Sequence, residues 1–434
     1  MGNRISVKEV VDLATLPVAQ YFPEISAVEK ASLGLKGVAL PTPLSPNVRL
    51  SREYEASVLL KREDLQSVRS YKIRGAYNKI ASLSEEERAQ GVVCASAGNH
   101  AQGVAYACNL LQIRGTIFMP STTPKQKVEQ VEMFAEGWVR IVLKGDLFDD
   151  AKKLAEEYAK EHGSTVIHPF DDPQVIEGQA TVALEILRHA DGPIDYLFLP
   201  VGGGGLAAGV SAVFHHLSPE TRIVGVEPYG AQSMAKSIEQ GRRVELDTID
   251  KFVDGAAVRQ VGDLNFSICR HTLHHTVAVE EGEICQTILS LYNKDAIVVE
   301  PAGALSIAAL SQFRDEIKGK TVVAVISGSN NDISRMEEIK ERALLHAGLK
   351  HYFLVNFPQR AGALKEFVVD VLGPDDDITY FSYTKKNARE TGAAVVGVEL
   401  ARPKDFELLL ERMKSLHFYG GYLNENQALL QLLT

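Results

Sequence analysis

Cysteines are few in this sequence, and none are clustered. Its 434 residues include four, Cys94, Cys108, Cys269 and Cys285, and no two have the CxxC spacing of a redox or metal motif. Isolated cysteines are typical of proteins from a reducing compartment, so a disulfide framework is not expected. We predict structural thiols and a cytoplasmic location.

Runs of positive charge are also missing. The chain has 46 Lys and Arg against 56 Asp and Glu, a net charge of -10. Negative charge repels nucleic acid and anionic membranes, so neither is an expected partner. The N-terminal segment MGNRISVKEV has no continuous apolar run, so neither a signal peptide nor a membrane span is predicted.

Apolar runs of strand length do occur, and they alternate with helix-length segments over the first three quarters of the chain. The runs are 56–63, 91–97, 115–120, 139–145, 195–203, 221–228 and 321–328. Segment 148–162 places Leu154, Tyr158 and its alanines on one face, as an amphipathic helix does. This alternation predicts an α/β fold of doubly wound parallel sheets, which bind ligands at the carboxyl ends of their strands.

Small and polar residues concentrate directly after three of these strands. The loops are SAGNH (96–100), VGGGG (201–205) and SGSNND (327–332). Because each loop follows the carboxyl end of a strand, we expect the three to form one shared site.

After Gly348 the pattern becomes that of a second, smaller domain. Predicted strands cover 351–358, 378–384, 393–400 and 418–423, and predicted helices cover 359–372 and 403–416. The order βαββαβ is that of a ferredoxin-like α+β domain. The charged helix 335–348 connects the parts, and we predict domains at 1–345 and 346–434.

The glycine run in PVGGGGLAAG is typical of a phosphate cup. Successive backbone N–H groups before a helix converge on an anion, and the helix dipole adds positive potential. The cup consists of Gly202, Gly203, Gly204, Gly205 and Leu206. It lacks the GxxxxGK[ST] pattern of NTPases. Gly203, Gly205 and Ala208 also satisfy GxGxxG/A, with Glu227 near the position of a ribose-binding acid, so a nicotinamide dinucleotide stays an alternative.

A single lysine stands between apolar residues in RSYKIRGAYN (69–78), at a predicted helix start. A phosphate cup together with such a lysine suggests pyridoxal phosphate, whose aldehyde forms a Schiff base with a lysine amine. Desolvation beside Tyr71 and Ile73 would lower the pKa of Lys72 and favour its neutral, nucleophilic form. Arg74 is expected to pair with a carboxylate.

Five motifs in order resemble those of the fold-type II pyridoxal-phosphate enzymes, and specifically the threonine dehydratases. They are SYKIRGA, SAGNHAQG, VGGGGL, EPAGA and ISGSNND. FPQRAGALKEF and the βαββαβ tail resemble the ACT-like regulatory domain of the biosynthetic, isoleucine-sensitive branch. The resemblance implies a tryptophan synthase beta-like catalytic domain of two doubly wound subdomains over 1–345 and an ACT-like domain over 346–434.

The resemblance also implies roles for individual residues. Lys72 is the catalytic lysine and binds the cofactor, and the loop of Ser96, Asn99 and His100 binds the substrate carboxylate, with no catalytic role for His100. Cofactor contacts are implied for Lys72, Asn99, Gly202, Gly203, Gly204, Gly205, Leu206, Glu300 and Ser327. Ser96, Asn99 and Glu300 could instead cap helices.

The serine that meets the pyridine nitrogen has two candidates, and a cation site is not assigned. Ser329 is the alternative to Ser327 as the residue that meets the pyridine nitrogen. Some relatives bind a cation near Glu227, but Ser233 stands at their aspartate position, so no metal ligand is assigned. Related serine racemases have a second serine where this chain has Ala97, so weak racemisation is expected.

These assignments predict deamination of L-threonine, and also of L-serine, by a pyridoxal 5'-phosphate enzyme. Threonine would give 2-oxobutanoate and ammonia, the first step of isoleucine biosynthesis, with isoleucine as an allosteric inhibitor. A homodimer or homotetramer is expected. A serine dehydratase, a β-replacement enzyme, a nicotinamide dehydrogenase and an amino-acid sensor with an inactive core are the alternatives.

Overall fold

The computed structural model describes residues 4–7, 21–383 and 391–426. Most of the N-terminal segment on which the absence of a signal peptide was predicted lies outside these residues. The chain divides into two compact units, Met1–Asn331 and Asp332–Thr434. The boundary at 345/346 stays a prediction. Within the described ranges, no helix is both long and apolar enough to cross a membrane.

The first unit alternates strands and helices. Its strands are β1 Arg4–Ser6, β2 Leu44–Pro46, β3 Ser57–Arg62, β4 Val92–Ala95, β5 Gly115–Met119, β6 Val139–Leu143, β7 Thr165–Val166, β8 Tyr196–Pro200, β9 Arg222–Pro228, β10 His275–Val279 and β11 Thr321–Ile326. Its helices are α1 Ile25–Gly34, α2 Val48–Tyr54, α3 Lys72–Ala81, α4 Glu85–Gln90, α5 Asn99–Leu111, α6 Lys125–Ala135, α7 Phe148–His162, α8 Pro173–His189, α9 Gly205–Leu217, α10 Ser233–Glu239, α11 Asp263–Thr272, α12 Glu281–Asp295, α13 Pro301–Ala308 and α14 Arg314–Ile317.

These strands form two sheets, which confirms the predicted pair of doubly wound subdomains. The larger sheet has the order β1-β10-β9-β8-β11-β3-β2, with antiparallel strands only at its two edges. The smaller sheet, β6-β5-β4-β7, is parallel throughout. The edge strands β1 and β2 are three residues long, too short for an apolar run to predict them.

The second unit has the predicted βαββαβ order. Its elements are α15 Met336–His346, β12 Lys350–Pro358, α16 Ala363–Glu366, β13 Asp377–Tyr383, β14 Thr391–Glu399, α17 Asp405–Ser415 and β15 Tyr419–Tyr422. The antiparallel sheet has the order β13-β14-β12-β15. The helix predicted from residue 359 begins at Ala363, because Gly362 has φ +85°, a left-handed conformation that a helix excludes. One π-helical turn, Phe367–Val371, continues it.

All four cysteines are buried, and none forms a disulfide with another described residue. Three of them belong to core clusters of the first unit: Cys94 and Cys108 to the one that includes β4 and α5, and Cys269 to the one that includes α8 and α9. Burial raises the pKa of Cys108 to about 12, so its thiol is protonated and unreactive. The prediction of structural thiols is consistent with these positions.

A buried ion cluster holds helix α3. The Arg74 guanidinium donates to both carboxylate oxygens of Glu63, each at 2.8 Å, and to Glu185 at 2.7 and 2.9 Å. The Lys61 ammonium donates to the same Glu185 at 2.5 Å. Burial raises the pKa of Glu63, but the charges and hydrogen bonds of Arg74, Lys61 and Thr42 together outweigh it, and the pKa is lowered. Arg74 therefore pairs with carboxylates, as expected from the sequence.

Replacing Arg74 with Met should destabilise the first unit strongly. The change leaves the Glu63 carboxylate buried without its main partner, which costs about 3–5 kcal/mol. Arg243→Met is the matched control, because Arg243 is 35% exposed and its pairing with Asp263 is worth at most about 1 kcal/mol. The measurement is the free energy of unfolding in urea. Equal losses in the two variants would contradict a stabilising role for the cluster.

Candidate active site

Lys72 is the first residue of α3 and lies beside the loop that precedes α8. Its Nζ donates a hydrogen bond to the Pro169 carbonyl oxygen at 2.8 Å. Burial lowers the pKa of Lys72 to about 8, although the negative charge of Glu300 works in the opposite direction. A larger fraction of this amine is therefore neutral near pH 7 than for a surface lysine.

The start of α3 is tied to the end of β11. The Tyr71 N–H donates to the Ser327 carbonyl oxygen at 3.2 Å, and Ser70 forms a β-bridge with Gly328. Helix α5 packs on the same point, since a Cβ on Gly103 would lie 3.2 Å from the Lys72 carbonyl oxygen. The backbone of Lys72 is thus fixed by the larger sheet on one side and by α5 on another.

The SAGNH loop leads from β4 into α5. Gly98 is the N-cap residue, and the Ser96 hydroxyl accepts from the Gly98 N–H at 3.3 Å, so neither Ser96 nor Asn99 caps the helix with its side chain. Among the described residues, the Ala97 and Asn99 N–H groups have no acceptor. Free N–H groups at the start of a helix favour a carboxylate ligand.

His100 lies one residue further and is buried. Its Nε2 is 2.9 Å from the Ile167 carbonyl oxygen. Burial lowers the pKa of His100 to about 3, so the ring is neutral and Nε2 donates this bond. The contact favours a packing role for the ring, and substrate binding by His100 stays a prediction.

A hydrogen-bonded chain connects the SAGNH and SGSNND loops. Asn99 Nδ2 donates to Glu300 Oε1 at 2.6 Å, and Asn330 Nδ2 donates to Asn99 Oδ1 at 2.7 Å. Glu300 occupies the N-cap position of α13, but its side chain makes no capping bond. Burial raises the pKa of Glu300 to about 7. The carboxylate therefore faces Asn99 instead of closing its own helix.

The glycine loop lies between β8 and α9. Gly204 has φ +93°, a conformation that glycine adopts without strain. Across the described part of the chain, no acceptor is found for the N–H groups of the loop, which belong to Gly202, Gly203, Gly204, Gly205 and Leu206. A Cβ on Gly203 would lie only 2.2 Å from Cδ1 of Phe170, so the Phe170 ring covers the loop. These donors and the start of α9 fit a phosphate group.

The two candidate serines differ in their hydroxyl contacts. The Ser329 hydroxyl donates to the Asp64 carbonyl oxygen at 3.2 Å. Ser327 is buried, and its hydroxyl has no partner within the residues that the structure describes. Ser327 is therefore the serine whose hydroxyl remains available to a ligand.

The Glu227 carboxyl group accepts hydrogen bonds from the backbone. Its carboxyl oxygens accept from the N–H groups of Met234 at 2.7 Å and Ala235 at 2.8 Å. These bonds argue against the ribose contact that a dinucleotide would need. In the described ranges, no group of three or more His, Cys, Asp and Glu side chains is placed to hold a metal ion.

Sequence reasoning missed three contributors to this site. The loop of Pro169 and Phe170 was not considered, although the prolines of HPFDDP are a turn signal before α8. Asn330 was quoted within SGSNND but given no role. Asn265 donates to the Gly203 and Phe170 carbonyl oxygens at 2.8 and 3.0 Å, and a lone asparagine in a helix gives no sequence signal.

Two family models match the chain. The model described as "Pyridoxal-phosphate dependent enzyme" matches residues 35–328, and that described as "C-terminal regulatory domain of Threonine dehydratase" matches residues 341–433. The L-threonine dehydratase biosynthetic IlvA of Halalkalibacterium halodurans is 55% identical over 410 residues, which cover 94% of this chain and 99% of the relative. The protein of the same name from Bacillus subtilis is 53% identical over 94% of this chain and 97% of the relative.

Solved structures of related enzymes share the fold. The processed form of threonine deaminase isoform 2 from Solanum lycopersicum has a TM-score of 0.70 at 37% identity, covering 78% of this chain and 95% of that chain. Maize serine racemase has a TM-score of 0.69 at 28% identity, covering 75% and 99%. The chain belongs to the pyridoxal-phosphate dependent enzymes and, within them, to the threonine dehydratases that carry a C-terminal regulatory domain.

Proposed function

We propose that this enzyme deaminates L-threonine to 2-oxobutanoate and ammonia, the first step of isoleucine biosynthesis. The observation that carries the proposal is the partly buried Lys72 amine, with its pKa lowered to about 8, beside a loop that covers an anion cup. The names of the most similar curated relatives support threonine as substrate. The four buried cysteines support the predicted cytoplasmic location.

Pyridoxal phosphate supplies an aldehyde that a lysine amine binds covalently and a ring that accepts electrons from the substrate. In this proposal the N–H groups of Gly202, Gly203, Gly204, Gly205 and Leu206 hold its phosphate. Lys72 holds its aldehyde. Asn99 donates to the ring hydroxyl through the hydrogen on Nδ2 that Glu300 does not use.

Lys72 is also the proposed general base that removes the α-proton of the substrate. With cofactor and threonine bound, the neutral Nζ of Lys72 would take the α-proton of threonine. The Pro169 carbonyl at 2.8 Å orients the amine through a backbone acceptor that carries no formal charge. A carboxylate there would raise the pKa of Lys72 and reduce the fraction of neutral base.

The substrate carboxylate binds at the start of α5. The free N–H groups of Ala97 and Asn99 and the helix dipole provide the site, and Ser96 lies in the same turn. Ala97 has no side-chain proton to give, so return of a proton to the opposite face of the α-carbon is slow and elimination prevails over racemisation. Serine fits the same contacts, and a serine dehydratase is the alternative function.

Ser327 sets the charge of the cofactor ring. A neutral hydroxyl at the pyridine nitrogen does not hold that nitrogen protonated, as a carboxylate would. The ring is then a weaker electron sink, which favours elimination over transamination. The free hydroxyl of Ser327 and the occupied hydroxyl of Ser329 support this choice.

The second unit is proposed to bind isoleucine and lower the affinity for threonine. Its match to a regulatory domain supports this role. Gly362 precedes α16 in a left-handed conformation, and apart from its chain neighbours no atom lies within 4 Å of where its Cβ would be, so space remains for a small ligand at this turn. By linkage, threonine then weakens isoleucine binding by the same factor. A homodimer or homotetramer stays a prediction.

Replacing Lys72 with Ala should abolish turnover while the protein stays folded and still binds pyridoxal phosphate without a covalent bond. The measurement is 2-oxobutanoate release from threonine, together with peptide mapping after borohydride reduction. Lys125→Ala is the control, because Lys125 is a surface lysine. Normal ammonia release from the Lys72 variant, or a reduced adduct on another lysine, would overturn the assignment.

Ser327→Ala should reduce kcat by more than Ser329→Ala does. The first change removes the only proposed contact to the pyridine nitrogen, and the second removes a neutral hydrogen bond to the Asp64 carbonyl worth about 1 kcal/mol of stability. Threonine kinetics and unfolding midpoints of both variants make the test. The opposite ranking of kcat would show that Ser329 faces the ring.

Ending the chain after Asn331 should give an enzyme that is active but indifferent to isoleucine, because the second unit is then removed. Threonine turnover is measured over a range of isoleucine concentrations and compared with the intact chain. A full-length companion, Ala361→Trp, fills the space beside Gly362 and should also weaken inhibition. Undiminished inhibition of a folded, active truncated enzyme would place the effector site in the first unit.

A further inference from the structure

Two asparagine amides lie in series between a backbone carbonyl and the Glu300 carboxylate. Asn330 Nδ2 donates to the Val68 carbonyl oxygen at 2.9 Å and to Asn99 Oδ1 at 2.7 Å. Asn99 Nδ2 then donates to Glu300 Oε1 at 2.6 Å. Asn330 donates both to Val68 and to Asn99, and from Asn330 to Glu300 the two bonds run in the same direction.

The Val68 carbonyl determines this direction. A carbonyl oxygen can only accept, so the end of the Asn330 amide that faces it must be the NH2 group. Both hydrogens of that group are used, one on Val68 and one on Asn99. If the Asn99 amide were reversed, its NH2 group would face the NH2 group of Asn330, and two donors would oppose each other.

The Asn99 amide therefore keeps one free hydrogen on Nδ2. Its oxygen is occupied by Asn330, and its other Nδ2 hydrogen by Glu300. A reversed amide would present an oxygen to the Glu300 carboxylate and also to the ring oxygen that Asn99 is proposed to bind. Two acceptors would then oppose each other wherever Glu300 is ionised, so the orientation of one amide decides whether the contact with Glu300 attracts or repels.

We propose that Asn330 is a positioning residue: it holds the Asn99 amide with its NH2 group toward Glu300 and the cofactor ring. The proposal rests on the proposed contact of Asn99 with the cofactor. Asn330 itself touches neither cofactor nor substrate in it. A merely structural role, in which Asn330 ties the SGSNND loop to Val68, is the competing explanation.

Two substitutions at position 330, combined with Asn99→Ala, separate these roles. Asn330→Asp keeps the shape but replaces the donor with acceptors, so it forces the Asn99 amide to reverse. Asn330→Ala removes both side-chain hydrogen bonds but leaves Asn99 free to keep its bond to Glu300. Both roles predict that Asn330→Asp is the more harmful change, because its carboxylate would also face the Val68 carbonyl oxygen. Only positioning predicts that this harm disappears when the Asn99 amide is absent.

The readout is the affinity for pyridoxal phosphate, measured by absorbance titration of the apoprotein without substrate. Asn330→Asp should weaken binding roughly ten- to hundredfold, the range for losing a hydrogen bond that meets a charged group. Asn330→Ala should weaken it by less than about fivefold. Asn293→Asp, the same change at an exposed position of α12, should leave the affinity unchanged.

A double-mutant cycle with Asn99→Ala tests whether Asn330 acts through Asn99. Without the Asn99 amide, Asn330→Asp should have little further effect on cofactor affinity, even though its added charge is still present. Effects that multiply, or an Ala variant weaker than the Asp variant, would overturn the proposal. Failure of the wild-type protein to release 2-oxobutanoate from threonine would instead refute the proposed function, and the cofactor titration would still decide the role of Asn330.

Discussion

The position of the Lys72 amine depends on the buried pairing of Arg74 with Glu63 and Glu185. Helix α3 has Lys72 as its first residue, where a helix has few bonds of its own to hold it. Two residues later, Arg74 anchors the helix to β3's end and to α8 through four short hydrogen bonds. Because the anchor is charged on both sides and buried, it stabilises only this one arrangement.

This anchoring makes it possible to desolvate Lys72 without losing its position. A lysine with a lowered pKa is neutral for more of the time, so an ion pair cannot hold its side chain in place. The structure supplies the Pro169 carbonyl instead, and the neighbouring Phe170 closes over the glycine loop. The same short loop therefore orients the amine and covers the anion cup.

The site also requires both sheets of the first unit. Asn99 follows a strand of the smaller sheet, whereas Glu300 and Asn330 belong to segments around β11 of the larger sheet. Their hydrogen bonds join the two sheets directly. A change in the relative placement of the sheets would alter the hydrogen bonds of the Asn99 amide. The geometry of the site therefore depends on both sheets and not on one loop alone.

The sequence by itself determined the doubly wound α/β class and the residues that form the loops, because strand periodicity, glycine runs and a lone lysine are local patterns. It also indicated Lys72, since apolar neighbours in sequence suggested desolvation. Only the tertiary structure showed that the Ser329 hydroxyl already has a partner, that Glu300 makes no capping bond, and that Phe170 and Asn330 lie at the site. Those questions turn on which hydroxyl or amide already has a partner, and the partners, such as Asp64 and Val68, are more than 200 residues away along the chain. Sequence spacing carries no information about such contacts, because they form only when the sheets pack.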